Sequence, residues 1–183
     1  MQKHVVVARF DEKTNSMLEK WKVEASKLQN TTYDNATAWP PHITIAAYED
    51  VDIKVLCEWV SEYASRNATI EICFCSLGVF SHGKQHDTDV IYATPTNSLE
   101  LTNFYYGYHE ILDEFSGDYG WAYTVMCKHP VFHSTITICN KQEFNLIFDK
   151  LRDDFCVIKG SIEALEVYEN PKKLVARYDL KQR

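Results

Sequence analysis

Pro40-Pro41-His42-Ile43-Thr44-Ile45 and Phe132-His133-Ser134-Thr135-Ile136-Thr137-Ile138 decide how this chain is read, because each places H-x-T at the head of an apolar, alternating run. Side chains two apart on a strand share a face, roughly 7 Å apart along it, so each segment presents one imidazole and one hydroxyl together. The two histidines stand 91 residues apart in a chain of 183. Other landmarks keep nearly that offset: Leu77-Gly78-Val79-Phe80 matches Leu165-Glu166-Val167-Tyr168 after 88 residues, and the run from Val5 matches the run from Val90 after 85. A divergent internal duplication accounts for these spacings. A third H-x-T, His86-Asp87-Thr88, sits in a polar loop without apolar flanks and is set apart as a chance match.

Outward from the two segments, apolar periodicity predicts helices over 11–28, 51–66, 98–115 and 141–154. Strands are predicted over 4–10, 69–80, 90–94, 157–168 and 174–180, with a further short one over 123–127. Asp11 is placed to start the first helix, and Asn97 with Glu100, like Asn140 with Glu143, has the spacing of a capping arrangement.

With 45% apolar residues, 13% aromatics, 6 Gly and 5 Pro, the chain has material for a packed interior and lacks the composition of disorder. No apolar run approaches the roughly 18 residues of a membrane span, and the start MQKHVVVARFDEK turns charged too soon for a signal peptide. A cytoplasmic protein without a membrane partner is expected. The net charge of −7 argues against a long nucleic-acid tract as partner, while leaving room for a local phosphate site. Six cysteines form no C-x-x-C pair and read as reduced core thiols.

Through PPHITI and FHSTITI, and through the LGVF strand followed by VIYATPT and a helix, the whole chain resembles the two-histidine (2H) phosphoesterase superfamily, in particular 2′-5′ RNA ligase-like proteins. It departs from that pattern at Ser134, where an apolar residue is usual, with His133 and Thr135 intact. The resemblance implies an α+β fold, two antiparallel sheets with outer helices around a central cleft. It makes the chain one bilobal domain over 1–183, with lobes of roughly 1–96 and 97–183 and terminal strands exchanged between them. It implies metal-independent chemistry, with no cofactor, on a 2′,3′-cyclic phosphate or 2′-5′ phosphodiester of a nucleotide or RNA end, reversible as ligation, by a monomer.

Physical reasoning reaches a compatible mechanism. Imidazole titrates near neutrality, so of His42 and His133 one neutral ring takes a proton while the other, protonated, gives one to the departing oxygen. Thr44 and Thr135 can donate to the non-bridging phosphate oxygens as charge builds. Trp39 and Tyr123, beside the motifs, are candidates for stacking a base, and Lys84 is a candidate substrate contact. The rival reading is a non-catalytic nucleotide or RNA-end binding protein using the same cleft.

Other signals are weaker. Gly78 to Lys84 fits G-x-x-x-x-G-K, but Gln85 stands where Ser or Thr belongs and no helix follows. His82 and His86, with Asp87 and Asp89, could approach a metal only on a helix, which the segment does not resemble. His129 is four residues from His133, but Pro130 disfavours a helix there. His4 and His109 read as solvated or packing residues, and Phe104, Tyr105, Tyr106 and Tyr108 as mostly core.

Overall fold

A computed structural model describes residues 2–30, 39–81, 87–127, 131–169 and 172–183. Strand β1 (Lys3–Phe10) leads into helix α1 (Glu12–Ser26), which Asp11 caps. The Asp11 carboxylate accepts from the Thr14 amide at 2.9 Å and from the Ser161 amide at 2.6 Å, so one side chain starts the helix and ties it to a strand 150 residues away. β2 (Ile43–Glu49), α2 (Ile53–Arg66) and β3 (Ile70–Ser81) complete the first half. The second half runs β4 (Thr88–Pro95), α3 (Leu99–Tyr108), a single turn α4 (Gly117–Gly120), β5 (Ser134–Asn140), α5 (Lys141–Asp154) and β6 (Ile158–Glu169), and β7 (Lys173–Asp179) follows. Asn140 caps α5 as its spacing predicts, accepting from the Glu143 amide at 2.8 Å. Among the described residues no helix is long and apolar enough to cross a membrane.

The expected α+β architecture of antiparallel strands and helices is present, with its two expected sheets joined as the two arms of one seven-stranded sheet, ordered β2-β1-β6-β3-β4-β5 with β7 beside β6. The reason is strand length. β3 and β6 have 12 residues each, enough to serve two neighbours. β6 pairs with β3 through Ile158 to Ile162 and with β1 from Ile162 onward; β3 pairs with β6 through Ile70 to Phe74 and with β4 beyond. Each half of the chain therefore places its last strand against the first strand of the other half.

Irregularities of pairing repeat with the offsets read from sequence. Val6 pairs with Ala46 but Val7 with Thr44, leaving Ile45 as a bulge; Ile91 pairs with Thr137 but Tyr92 with Thr135, leaving Ile136 as a bulge, 91 residues on. Cys75 is bulged against β4 and Glu163 against β1, 88 residues apart. In the β3–β6 ladder Ile72 faces Gly160, its own counterpart at the same offset of 88, so a pseudo-two-fold axis passes through that pair.

The bulges decide which side chains reach the cleft. Ile43, Ile45, Ala46 and Tyr48 all enter the main core, whereas Ala47 belongs to a small second cluster with Val5, Val7 and Tyr168, against which Trp39, Tyr119 and Tyr123 pack. Strict alternation would have sent Ala46 to that side. The extra residue reverses the parity of the strand after the threonine.

Further expectations are corrected, that for Tyr106 among them: it is exposed on the outer face of its helix and not part of the core. The helix predicted over 98–115 ends at Tyr108, and its cap is Ser98, whose hydroxyl accepts from the Leu101 amide at 3.1 Å, instead of Asn97. The indole of Trp59 takes the Tyr108 carbonyl at 3.2 Å and Leu112 adopts a left-handed φ of 71°, which breaks the helical ladder and leaves Ile111 exposed. The strand predicted over 123–127 is a 3₁₀ turn (Trp121–Tyr123) followed by a second turn, because the Thr124 and Cys127 amides bond back to Trp121 and Thr124. All six cysteines are free, but only Cys139 is fully buried, and Cys75 and Cys156 are exposed.

Gly120 is where α4 meets β2 most closely: a Cβ there would stand 1.8 Å from the Ala47 carbonyl oxygen, and backbone cannot step aside cheaply. Gly120→Ala is expected to cost about 2 kcal/mol or more in chemical denaturation, as overpacking does. An unchanged midpoint would mean that α4 does not press on the sheet.

Candidate active site

His42 and His133 each sit one residue ahead of their strands, β2 and β5, and each ring is locked in the same way. His42 Nδ1 donates to the Pro40 carbonyl at 2.7 Å, and His133 Nδ1 donates to the Val131 carbonyl at 2.6 Å. A carbonyl can only accept, so the bonded nitrogen carries the hydrogen and Nε2 is the atom left for chemistry in both rings. Both carbonyls belong to the residue two before the histidine.

The residue immediately before each histidine is held too. The Arg9 guanidinium bonds the Pro41 carbonyl, and Thr94 Oγ1 donates to the Phe132 carbonyl at 2.8 Å. Arg9 and Thr94 are 85 residues apart, the offset between β1 and β4, so these are counterpart clamps. On the first side a third carbonyl is occupied: the Lys22 ammonium bonds Trp39. Trp39, Pro40 and Pro41 thus have every carbonyl engaged, two of them by cations, and the two prolines bring no N–H of their own.

His42, Thr44, His133 and Thr135 line one cleft of about 220 Å³, together with Trp39 and Tyr123. A larger chamber of about 530 Å³ adjoins it, lined by Phe80, Val90, Tyr105, Phe132 and Val131 and sharing Thr44, Tyr123, His133 and Thr135. His42 borders only the smaller space. The Tyr123 hydroxyl is hydrogen-bonded to Thr44, and the turn that carries it is anchored by Tyr105, whose hydroxyl donates to the Tyr123 carbonyl at 2.5 Å. The Trp39 ring packs on His42 at 5.3 Å between centroids and on Tyr168 at 4.8 Å; Phe80 and Tyr92 pack on His133 at 4.9 and 5.2 Å.

Burial draws both imidazoles below their ordinary pKa. His133 is lowered by desolvation, opposed by its bond to Val131. His42 is lowered to about 4, by desolvation first, with the Arg9, Lys22 and His133 charges adding to it and the Pro40 bond opposing. Burial raises the Tyr123 phenol, and its bond with Thr44 offsets part of that.

Sequence reasoning missed the supports of this site. Neither Arg9, in a strand, nor Lys22, on a helix, is singled out by the sequence, yet Lys22 is 3% exposed and Arg9 is held by the Glu166 carboxylate at 3.2 Å. The apolar pattern around Lys22 is the one signal, since it lies beside Trp21 on the buried face of α1. His109 is buried and bonded, unlike the solvated alternative: Nε2 donates to the carbonyl of bulged Ile45 at 3.0 Å and Nδ1 faces Asp113 at 2.5 Å. His4 is buried as a packing residue. Lys84, His82, His86 and His129 lie outside the described residues, and among those described no group of three or more His, Cys, Asp or Glu could hold a metal.

Residues 11–173 match the sequence model of the 2′-5′ RNA ligase superfamily, and the chain belongs to that superfamily of two-histidine phosphoesterases. Among solved structures it is similar to TT0787 of Thermus thermophilus, at 11% identity over the whole of both chains and a TM-score of 0.61, a likeness of fold. Usb1 of Kluyveromyces marxianus is 8% identical over 97% of this chain and 98% of that one, with a TM-score of 0.49. No curated protein matches the chain by sequence.

The depressed His42 has a consequence for stability. Between pH 6.5 and about 4 the unfolded chain binds a proton at this residue that the folded chain refuses, so stability present above pH 6.5 is lost as the pH falls through that window. His42→Gln should flatten the decline of Tm across it. Parallel Tm curves for the two proteins would show that His42 stays accessible to protons in the fold.

Proposed function

We propose that the protein is a metal-independent phosphodiesterase acting on a 2′,3′-cyclic phosphate or 2′-5′ phosphodiester of a nucleotide or RNA end, with His42 and His133 as its proton-transfer groups. The observation that carries this reading is the convergence of both H-x-T pairs on one cleft, with both rings fixed through Nδ1 so that both Nε2 atoms are available. Membership of the superfamily supports it.

Chemically, a neutral ring locked this way offers the Nε2 lone pair to water or a ribose hydroxyl, and a protonated one offers Nε2–H to the oxygen that leaves. Thr44 and Thr135 border the same cleft from opposite arms, and in this reading they donate to the non-bridging oxygens, where negative charge grows in the transition state. Their fixed positions require little reorganisation during reaction. Trp39 and Tyr123 complete the wall of the small cleft and are proposed to contact substrate there. The same geometry run backwards joins a 2′-hydroxyl end to a cyclic phosphate, although water at high concentration favours opening. We read the chain as one bilobal domain, because a site assembled from both H-x-T strands needs both halves.

His42→Ala and His133→Ala should each lower turnover by about 10² or more with circular dichroism unchanged, since proton-transfer groups contribute about 10² to 10⁴. Thr44→Val and Thr135→Val should cost up to a few kcal/mol in kcat/KM. Chelation should leave activity intact, and inorganic phosphate should compete. A product-resolved screen of 2′,3′-cyclic nucleotides and 2′-5′ oligonucleotides is the decisive measurement. Tight binding without turnover by the wild-type protein would favour the nucleotide-binding reading instead, and normal turnover by a folded histidine variant would remove that residue from the mechanism.

A further inference from the structure

Among the described residues the two sides of the pseudo-two-fold differ in charge. Around His42, β1 contributes Arg9, α1 contributes Lys22 and Glu19, β6 contributes Glu166 and β7 contributes Arg177. Glu166 is 7% exposed at its side chain and is shared between two guanidiniums, Arg9 at 3.2 Å and Arg177 at 3.0 Å. Glu19 is 45% exposed and stands 3.7 Å from Lys22, where solvent weakens its hold. Arg177 is 42% exposed and also pairs with Asp179, itself 72% exposed, at 2.9 Å. Among the buried groups Arg9 and Lys22 therefore face one carboxylate, Glu166, behind the Trp39-Pro40-Pro41 carbonyls.

At His133 the counterpart positions are uncharged. Thr94 replaces Arg9, and Gly78 replaces Glu166. Gly78 has no room for a side chain, because the Tyr92 ring lies across it, 2.3 Å from where a Cβ would be. Tyr92 in turn stacks on Phe80 at 4.3 Å, and both rings face His133. The space lost to ion pairs on one side is given to aromatic surface on the other, and that surface borders the larger chamber.

We infer that this asymmetry fixes the direction of proton flow: Arg9 and Lys22 are positioning residues that hold His42 as the proton acceptor, while His133, beside the chamber that receives the nucleoside, delivers the proton to the leaving ribose oxygen. The inference rests on the phosphodiesterase reading. Two independent observations meet in it. Buried cations resist a further positive charge at His42, in keeping with the depression of that ring. The chamber large enough for base and sugar opens on His133 and Thr135 but not on His42, so the sugar oxygen that leaves phosphorus departs toward His133.

In the hydrolytic step water loses a proton to His42 Nε2 and its oxygen forms a bond to phosphorus. The bond from phosphorus to one ribose oxygen breaks, and that oxygen takes the proton from His133 Nε2. The products are a phosphomonoester and a free ribose hydroxyl, with one proton moved from His133 to His42 and returned through solvent before the next turnover.

Two measurements test this. Residue-resolved NMR titration should find His42 with the lower midpoint; Lys22→Met should raise it by about half a pH unit or more without moving His133, and Lys22→Arg should keep the wild-type value. Arg9→Gln, which retains a donor for the Pro41 carbonyl, gives the same test should Lys22→Met fail to fold. Kinetically, a cyclic nucleotide whose leaving oxygen is replaced by sulfur needs no proton donor, so the defect of His133→Ala should shrink by about tenfold or more while that of His42→Ala persists. Rescue of His42→Ala instead, or a His42 midpoint at or above that of His133, or one indifferent to both charge removals, would overturn the assignment. Absence of turnover by the wild-type protein would overturn the phosphodiesterase reading and the proton roles with it, while the order of the two titrations would still decide whether the charge asymmetry acts on His42.

Discussion

The antiparallel ladder between β3 and β6, centred on Ile72 and Gly160, is the constraint on which the rest depends. It joins the two arms into one sheet and sets the axis about which the H-x-T strands face one another. Gly160 has no Cβ to spare there: one would stand 1.8 Å from Thr14 Oγ1 and 2.3 Å from an Asp11 oxygen. The start of α1 therefore rests directly on the axis. Asp11, which caps that helix and bonds Ser161, couples the helix to the ladder, so the register of β6, the position of α1 and the placement of Lys22 are set by one contact region.

From there the site is held by backbone carbonyls more than by side-chain packing. The residues leading into each histidine run without regular secondary structure, and the carbonyls of Trp39, Pro40, Pro41, Val131 and Phe132 each have a donor: an imidazole, a hydroxyl, a guanidinium or an ammonium. Unmet carbonyls in a half-buried segment would cost about 1–3 kcal/mol each, so these donors stabilise the approach as well as aiming the ring. Burial of Lys22 is tolerated because its ammonium meets a carbonyl and a carboxylate together.

How much of this was legible in the sequence depends on the range over which each signal acts. The H-x-T pairs, the repeat offsets and the Asp11 and Asn140 caps are local patterns and stand in the structure where they were expected. Ser98 took the cap from Asn97 because the two are adjacent and each has the required side chain; only the geometry of the chain entering α3 distinguishes them. The helix past Tyr108 failed because its apolar spacing continues while Trp59, far away in sequence, claims the terminal carbonyl. Bulges at Ile45 and Ile136 leave no mark in composition, since an extra apolar residue in an apolar strand looks like one more core position. Arg9 and Lys22 escaped for a related reason: nothing near either charge in sequence marks the carbonyl it serves, which lies 32 or 17 residues along.

The exchange of β3 and β6 between arms also bears on how such a chain could have arisen. A single ancestral half, ending in a strand like β3, would have carried an edge whose natural partner is the same edge of another copy, since the present ladder pairs counterpart residues about a two-fold. Two identical halves associating in that manner would have formed a symmetric dimer with two equal histidine sites facing one another. Fusion into one polypeptide would release the halves from identity. Gly78 could then lose what Glu166 kept, and Thr94 what Arg9 kept, so that one side grew aromatic while the other stayed charged: divergence that a homodimer, obliged to make both sides from one gene, could not have reached.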